Sequence, residues 1–237
     1  MKYAYSTDEE DLKDVLAGKF VAFDTEFGGV DFKTETCPFR SKCHVFSVAS
    51  VPYNAEFNPR GYYEPTAVVM PRRFLPMLDS VPLYAHNAGV DVHTALNYTP
   101  ETVLNVTDTL SMARLLYPGL ALKGGFGLDN LGQRMLGMGK TTSFKELVQR
   151  PRLVQKVRKG TPSCACGADK CRRRGPSHVK VPGTDRMEWV QKGMEETPLD
   201  EIRPGHAKWD ALVEYSAADA YITSAIVQIM LNRVENL

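Results

Sequence analysis

Four acidic residues and a tyrosine stand out in this chain by their type and spacing. In the stretch FVAFDTEFGG, residues 20–29, Asp24 and Glu26 lie two apart directly after an apolar run. Side chains alternate along a strand, so both carboxylates share one face while Phe23 and Thr25 take the other. Two carboxylates on one face repel unless a cation sits between them, and an oxygen-binding Mg²⁺ or Mn²⁺ suits such a pair. A strand fraying into solvated loop would carry the same two residues. A second site follows in YAHNAGVDVHTA, where Asn87 and Asp91 are one helical turn apart just after an expected strand. A third lies in EYSAADAYIT, where Tyr215 and Asp219 are four apart and stack on one helix face. Each has a structural reading of its own: Asn87 as an N-cap, Asp91 as a first-turn acid, Asp219 as a surface charge. The neighbours Ala217, Ala218, Ala220 and Ile222 instead predict burial for Asp219, where an unpaired carboxylate is costly.

The elements that must position these residues follow from periodicity. Ser6 and Thr7, each with a Glu three residues on, predict a capping box and a short helix. KFVAFDT, HVFSVASV, TAVVM and VPLYAH read as strands, and a helical stretch runs from Pro71 through Leu78. VDVHTALNY, TDTLSMARLLY, GLDNLGQRML and SFKELVQR carry helical spacing, and a long helix is expected from Trp209 to Val234. Strands early and helices late predict an α/β domain with a mixed sheet. Residues 151–205 break the rhythm: they are rich in Pro, Gly and charge and hold three of the five cysteines, which marks an insertion within a single 1–237 domain.

The 237-residue length allows one sizeable core, and 43% hydrophobic with 24% charged residues is ordinary for a globular protein. No run of 18 apolar residues exists and the first 16 residues are polar and acidic, so neither a spanning helix nor a signal peptide is expected. Five cysteines in no disulfide-dense pattern fit a reducing compartment, and a cytoplasmic location is expected. The net charge of +1 hides an asymmetry: Arg150 to Lys180 holds ten basic residues and one acid, leaving 19 basic and 27 acidic residues elsewhere. Such a block favours a polyanionic partner, although a solvated tract has the same composition.

The order D-x-E, N-x-x-x-D, Y-x-x-x-D resembles the DEDD 3′–5′ exonucleases of the tyrosine-containing subclass. It is similar, more closely, to the proofreading exonuclease domain of family A DNA polymerases. DTLSMARLLYP and GLDNLGQRMLGMGKTTSFKELV follow that family's helices, and the resemblance covers residues 18–150 and 206–230. It implies an RNase H-like mixed sheet flanked by helices, with the Cys-containing basic segment inserted. It also implies that Asp24, Glu26 and Asp219 hold one metal ion, that Asp24 bridges to a second, and that Asp91 supports the second through water. Two Mg²⁺ or Mn²⁺ ions about 3.5–4 Å apart activate a water and stabilise the leaving 3′ oxygen. Tyr215 would orient that water. Thr25, Asn87 and Phe144 match positions that touch the terminal nucleotide, with Phe144 packing on its base; an ordinary core phenylalanine is the alternative. His86 departs from the amide common before the Asn, and Asp108 in its D-T-L setting reads as a helix N-cap rather than a ligand.

CACGADKCRRRGPSH spaces Cys164, Cys166, Cys171 and His178 as C-x-C-x4-C-x6-H. Three thiolates and an imidazole suffice for a tetrahedral structural Zn²⁺, with Cys37, Cys43 and His44 as further candidate ligands. A flexible basic loop that binds phosphates without metal is the alternative, and in both readings Arg172, Arg173 and Arg174 face nucleic acid. The expectation is therefore a stand-alone 3′–5′ exodeoxyribonuclease releasing 5′-mononucleotides from single-stranded 3′ ends. Proofreading for a separately encoded polymerase would suit it, as would a phage origin and a host-cytoplasmic location. An RNase D-like exoribonuclease and a non-catalytic nucleic-acid-binding module are the rivals.

Overall fold

The computed structural model describes residues 5–28, 42–52, 54–79, 81–99, 104–118, 125–140, 143–158, 163–164, 180–181 and 186–236. They form two compact units, one of residues 1–148 and 197–237 and the other of residues 149–196.

The first unit is built on a six-stranded sheet. Its strands are β1 (Tyr5–Ser6), β2 (Val21–Gly28), β3 (Lys42–Ser50), β4 (Thr66–Pro71), β5 (Pro82–Ala85) and β6 (Asn105–Asp108). Their spatial order is β1-β4-β3-β2-β5-β6. β2 pairs antiparallel with β3, and β3 with β4, whereas β2–β5, β5–β6 and β1–β4 are parallel. This is the mixed sheet expected from the early strands.

Helices cover both faces. On one face α1 (Glu9–Leu16), a 3-10 stretch (Arg72–Leu78) and α2 (Gly89–Leu96) enclose a core containing Leu12, Phe23, Phe46, Leu75 and Leu83. On the other, α6 (Trp209–Glu235) packs over β2, β3 and β4 with Ala22, Val45, Ala217, Ala218 and Ile222 in its core. The third helix α3 (Thr109–Leu116), the short α4 (Leu128–Leu131) and α5 (Phe144–Val148) complete this layer. From Ser216 to Val227 every residue of α6 is buried, as expected of a helix with small and apolar residues all round. Ser47 Oγ donates to Ser216 O at 2.8 Å and ties β3 to α6 at the turn bearing Tyr215 and Asp219.

Several expected boundaries move. The N-cap of α1 is Asp8, which accepts from Glu10 N, while Ser6 is drawn into β1 beside β4. A strand, β6, precedes α3; four residues without strong alternation gave no strand signal. GLDNLGQRML is not one helix: α4 widens into a π turn over Gly132–Leu136 that ends at Gly137 in the left-handed region. α5 stops at Val148, because Pro151 cannot continue a helix and the chain turns extended from Gln149. Residues 197–205, grouped with the insertion from sequence, belong to the first unit, where Leu199 and Ile202 are buried.

The second unit is a hairpin of β7 (Gln149–Arg158) and β10 (Arg186–Glu196), paired antiparallel with an irregularity between Gln191 and Met194. Gly193, at φ 83°, lies in that interval. Arg150 Nε donates to Glu195 Oε1 across the pair at 2.9 Å. Inside the hairpin, β8 (Ser163–Cys164) pairs antiparallel with β9 (Lys180–Val181). Where sequence showed no sustained period, the described residues of this segment therefore form paired strands.

Candidate active site

β2 ends beside α6, and the alternation along it turns Asp24 and Glu26 to the α6 face with Ala22, while Phe23 enters the opposite core. α6 meets this edge with Asp219. Ligand oxygens of Asp24, Glu26 and Asp219 lie within 4.8 Å of one another. Glu26 and Asp219 are buried, and Glu26 Oε1 and Asp219 Oδ1 have no hydrogen-bond partner.

Burial pushes Asp24 and Glu26 well above their ordinary values, and the charge of Asp219 adds to the shift in both. Burial also raises Asp219, against the opposing effect of Lys140. Hard, oxygen-only donors with orphaned oxygens fit a divalent cation such as Mg²⁺ or Mn²⁺, which would satisfy them and relieve their repulsion.

Asp91, in the first turn of α2, reaches the same cavity of about 260 Å³. Its Oδ1 accepts from Thr25 N at 3.0 Å and from Thr25 Oγ1 at 2.6 Å. Burial raises its pKa to about 6 even though both Thr25 bonds pull it down. Thr25, which lines the same cavity, thus holds Asp91 in place. Asn87 precedes α2 at φ 59°, the one left-handed non-glycine among the described residues. Asp108 Oδ1 accepts from Asn87 N at 2.9 Å, Ala88 N at 3.4 Å and Leu110 N at 3.1 Å. Asp108 is the N-cap of α3, as the sequence indicated, and also clamps the Asn87 turn. His86 lines the cavity with Nδ1 3.0 Å from Thr109 Oγ1, and burial lowers its pKa.

Tyr215 stands one turn before Asp219, its ring 5.7 Å from that of Phe144 at an interplanar angle of 55°. Burial raises its pKa, with Asp219 and Glu26 adding to the effect, so the side chain is a neutral phenol at physiological pH. Phe144 and Tyr215 line both the acid cavity and a neighbouring cavity of about 780 Å³ bordered by Gly127, Asp129, Asn130, Gln133 and Lys140.

Spacing did not reveal Lys140. Its Nζ donates to Asp219 Oδ2 at 2.6 Å and to the Tyr215 hydroxyl at 2.7 Å. Burial works against its charge, but Asp219 and Tyr215 outweigh it and raise the pKa above the ordinary lysine value. The available signal was the G-M-G-K turn, where two glycines precede a lone cation.

Cys166, Cys171, His178, Arg172, Arg173, Arg174 and Cys37 lie outside the described residues, as does the side chain of Cys164. Cys43 is buried in the first unit, where burial raises its thiol above the ordinary value. His44 pairs with Asp200 at 3.4 Å. Among the described residues no helix is long and apolar enough to cross a membrane.

No family model matches the sequence, and no curated protein does. Solved structures do. The apo form of a nuclease superposes with a TM-score of 0.51 at 15% identity, covering 99% of this chain and 82% of that one. Brucella melitensis NrnC with bound Mg²⁺ gives 0.50 at 14% identity over 100% of this chain and 83% of that one. The same NrnC bound to pGG gives 0.50 at 13% identity over 99% and 81%. The six-stranded mixed sheet flanked by helices is the RNase H-like fold of these nucleases, and at such identity the likeness is one of fold.

Proposed function

We propose that this chain is a metal-dependent 3′–5′ exonuclease that releases 5′-mononucleotides from single-stranded DNA 3′ ends. The observation that carries this reading is the cluster of Asp24, Glu26 and Asp219 beside Tyr215, with two buried carboxylate oxygens left unpartnered. A module that only bound nucleic acid would gain nothing from concentrating this much negative charge next to phosphates.

Asp24, Glu26 and Asp219 would hold one divalent ion, and Asp24 and Asp91 would serve a second. When bound, the ions lower the pKa of a water and neutralise charge on the leaving oxygen. The chain's own residues do the rest. Thr25 fixes Asp91 through two hydrogen bonds. Tyr215, a neutral phenol, both accepts and donates hydrogen bonds, so it orients the attacking water rather than deprotonating it. The water oxygen bonds to phosphorus, the P–O3′ bond breaks and the 3′ oxygen takes up a proton. Asn87, exposed on its left-handed turn, and Phe144 flank the place where the terminal nucleotide would lie. Stacking on such a ring is worth about 1–3 kcal/mol and tolerates any base.

An exoribonuclease is the second reading, favoured by the structural neighbour that holds pGG. In the second unit, the Cys164–Lys180 pairing closes the ribbon two residues beyond His178 in sequence, which supports a structural Zn²⁺ on Cys164, Cys166, Cys171 and His178. Arg172, Arg173 and Arg174 would meet the phosphate backbone there.

The test is digestion of matched 5′-labelled DNA and RNA oligonucleotides with Mg²⁺, with Mn²⁺ and with EDTA. Metal-dependent shortening from the 3′ end is expected, faster on DNA. Asp24→Ala and Asp219→Ala should lower turnover by about 10³-fold or more with the fold intact, because each removes a metal ligand. Near-normal digestion by both variants would sink the assignment. Faster loss of RNA would transfer it to the second reading. A mismatched 3′ end removed faster than a paired one would fit a proofreading role beside a separate polymerase.

A further inference from the structure

Lys140 is a cation set directly on the acid cluster, and a site of four acids and a tyrosine gives it no role. Its ammonium reaches Asp219 Oδ2 at 2.6 Å and the Tyr215 hydroxyl at 2.7 Å, and lies 4.6 Å from the Tyr215 ring centroid. Its side chain is 22% exposed, so solvent screens these contacts only in part.

The backbone that delivers it is closely specified. A Cβ at Gly132 would fall 2.7 Å from Met138 O and 3.1 Å from Ile222 Cγ2, so glycine lets the Met138 carbonyl close over the π turn. Met138 N then donates to Gly132 O at 3.3 Å, and Lys140 N to Asp129 Oδ1 at 2.8 Å. Gly137 makes the reversal between them at φ 65°. π turns inside helices recur at functional sites, where they redirect a short segment.

Asp219 is used on one side only. Oδ2 is taken by Lys140, while Oδ1 is buried and unpartnered. The carboxylate can therefore serve the lysine and a metal ion at once, one on each oxygen. Tyr215 is held at the same point: its oxygen accepts from Lys140, and its hydroxyl is also a hydrogen-bond partner of Asp219.

We propose that Lys140 is a positioning residue of this site, pinning Asp219 Oδ2 and the Tyr215 oxygen so that Asp219 Oδ1 faces the metal position and the phenol is fixed beside the attacking water. This assignment rests on the exonuclease reading. It has an electrostatic consequence that a structural lysine elsewhere would lack. The ammonium repels a cation held among the three acids, so removing its charge should tighten metal binding while slowing chemistry.

The experiment compares wild type, Lys140→Met, Lys140→Arg and Asp24→Ala. Turnover is measured on a 5′-labelled single-stranded DNA oligonucleotide in Mn²⁺, and Mn²⁺ affinity by calorimetry without substrate. Lys140→Met should lower kcat by about 100-fold, the order lost when one preorganised donor is removed, with KM within about threefold. Its Mn²⁺ affinity should rise by about tenfold, the scale of one unit charge a few ångströms away. Lys140→Arg should recover most of the lost kcat.

A Lys140→Met kcat within about threefold of wild type overturns the assignment, as does weaker or unchanged Mn²⁺ binding, or a loss confined to KM. These outcomes differ from failure of the exonuclease reading, in which wild type itself releases no nucleotide or Asp24→Ala works as well. In that case the Mn²⁺ affinities alone decide whether Lys140 sets the charge of the cluster. If Lys140→Met loses its circular dichroism melt, Lys140→Gln, which keeps a donor without the charge, takes its place in both measurements.

Discussion

The Tyr215 ring packs against Phe144 and lies 4.6 Å from the Lys140 ammonium, so Tyr215→Phe removes the hydroxyl and its bond to Lys140 while keeping both ring contacts. Tyr215→Phe keeps the contact with Phe144 and leaves all four carboxylates in place. Loss of turnover of about 10- to 100-fold is expected, the range for one positioned proton-handling group, with Mn²⁺ affinity unchanged. A Mn²⁺ titration beside the kinetics checks both halves. Burial raises the phenol's pKa, so it stays protonated across the working range. The shape of the pH–rate profile should therefore survive in Tyr215→Phe, and a lost ionisation limb would show that the phenol titrates during turnover.

At the scale of elements, the turn between β5 and α2 is the most closely tied part of the site. Asn87 adopts a left-handed conformation that costs a non-glycine residue about 1 kcal/mol or more. One Asp108 oxygen meets the backbone N–H groups of Asn87, Ala88 and Leu110, and Ser111 Oγ donates to the other at 2.7 Å. Asp108→Ala removes a helix cap and releases this turn, so destabilisation of about 1–2 kcal/mol is expected in urea melts. KM should rise more than kcat falls, because the loosened turn carries Asn87 rather than a metal ligand. Asp108→Asn keeps an acceptor and should recover most of the stability. In the second unit, zinc on Cys164, Cys166, Cys171 and His178 predicts one copurifying equivalent that resists mild chelation. Cys166→Ser should then change the protease sensitivity of residues 159–185 while hydrolysis persists. Absence of zinc with Cys164, Cys166 and Cys171 free to react would leave a basic ribbon without metal.

For the whole molecule, the metal-free acid cluster opposes folding at neutral pH. Asp91, raised to about 6, holds a proton in the folded chain that the unfolded chain has already lost above about pH 4. Folded-state stability therefore falls as pH rises through that window, and Asp24, Glu26 and Asp219 are shifted in the same direction. The Tm of EDTA-treated protein should be higher at pH 5 than at pH 7.5. Mn²⁺ at about 100 times its Kd adds about 2.7 kcal/mol by mass action, or roughly 5–10 °C for a unit of this size. The gain should be smaller at pH 5, where protons compete for the same oxygens. A metal-free Tm that climbs from pH 5 to 7.5 would contradict this account of the cluster.

Features that rest on neighbouring residues were legible in the sequence. Alternation placed Asp24 and Glu26 on one face of β2, four-residue spacing stacked Tyr215 over Asp219, and the run of small and apolar residues marked α6 as buried. D-T-L identified Asp108 as a cap because capping is a matter of two or three neighbouring residues. Tertiary structure decided what depends on partners far along the chain. Thr25 holds Asp91 across 66 residues and Lys140 reaches Asp219 across 79, so no spacing rule connects either pair. β6 and the β7–β10 ribbon were hidden for a related reason: a strand's hydrogen bonds are made by its neighbour, and neither element has the alternation that would announce one. The π turn after α4 was also invisible, since Gly132 lies against the Met138 carbonyl six residues on, a contact that the helical period it interrupts does not encode.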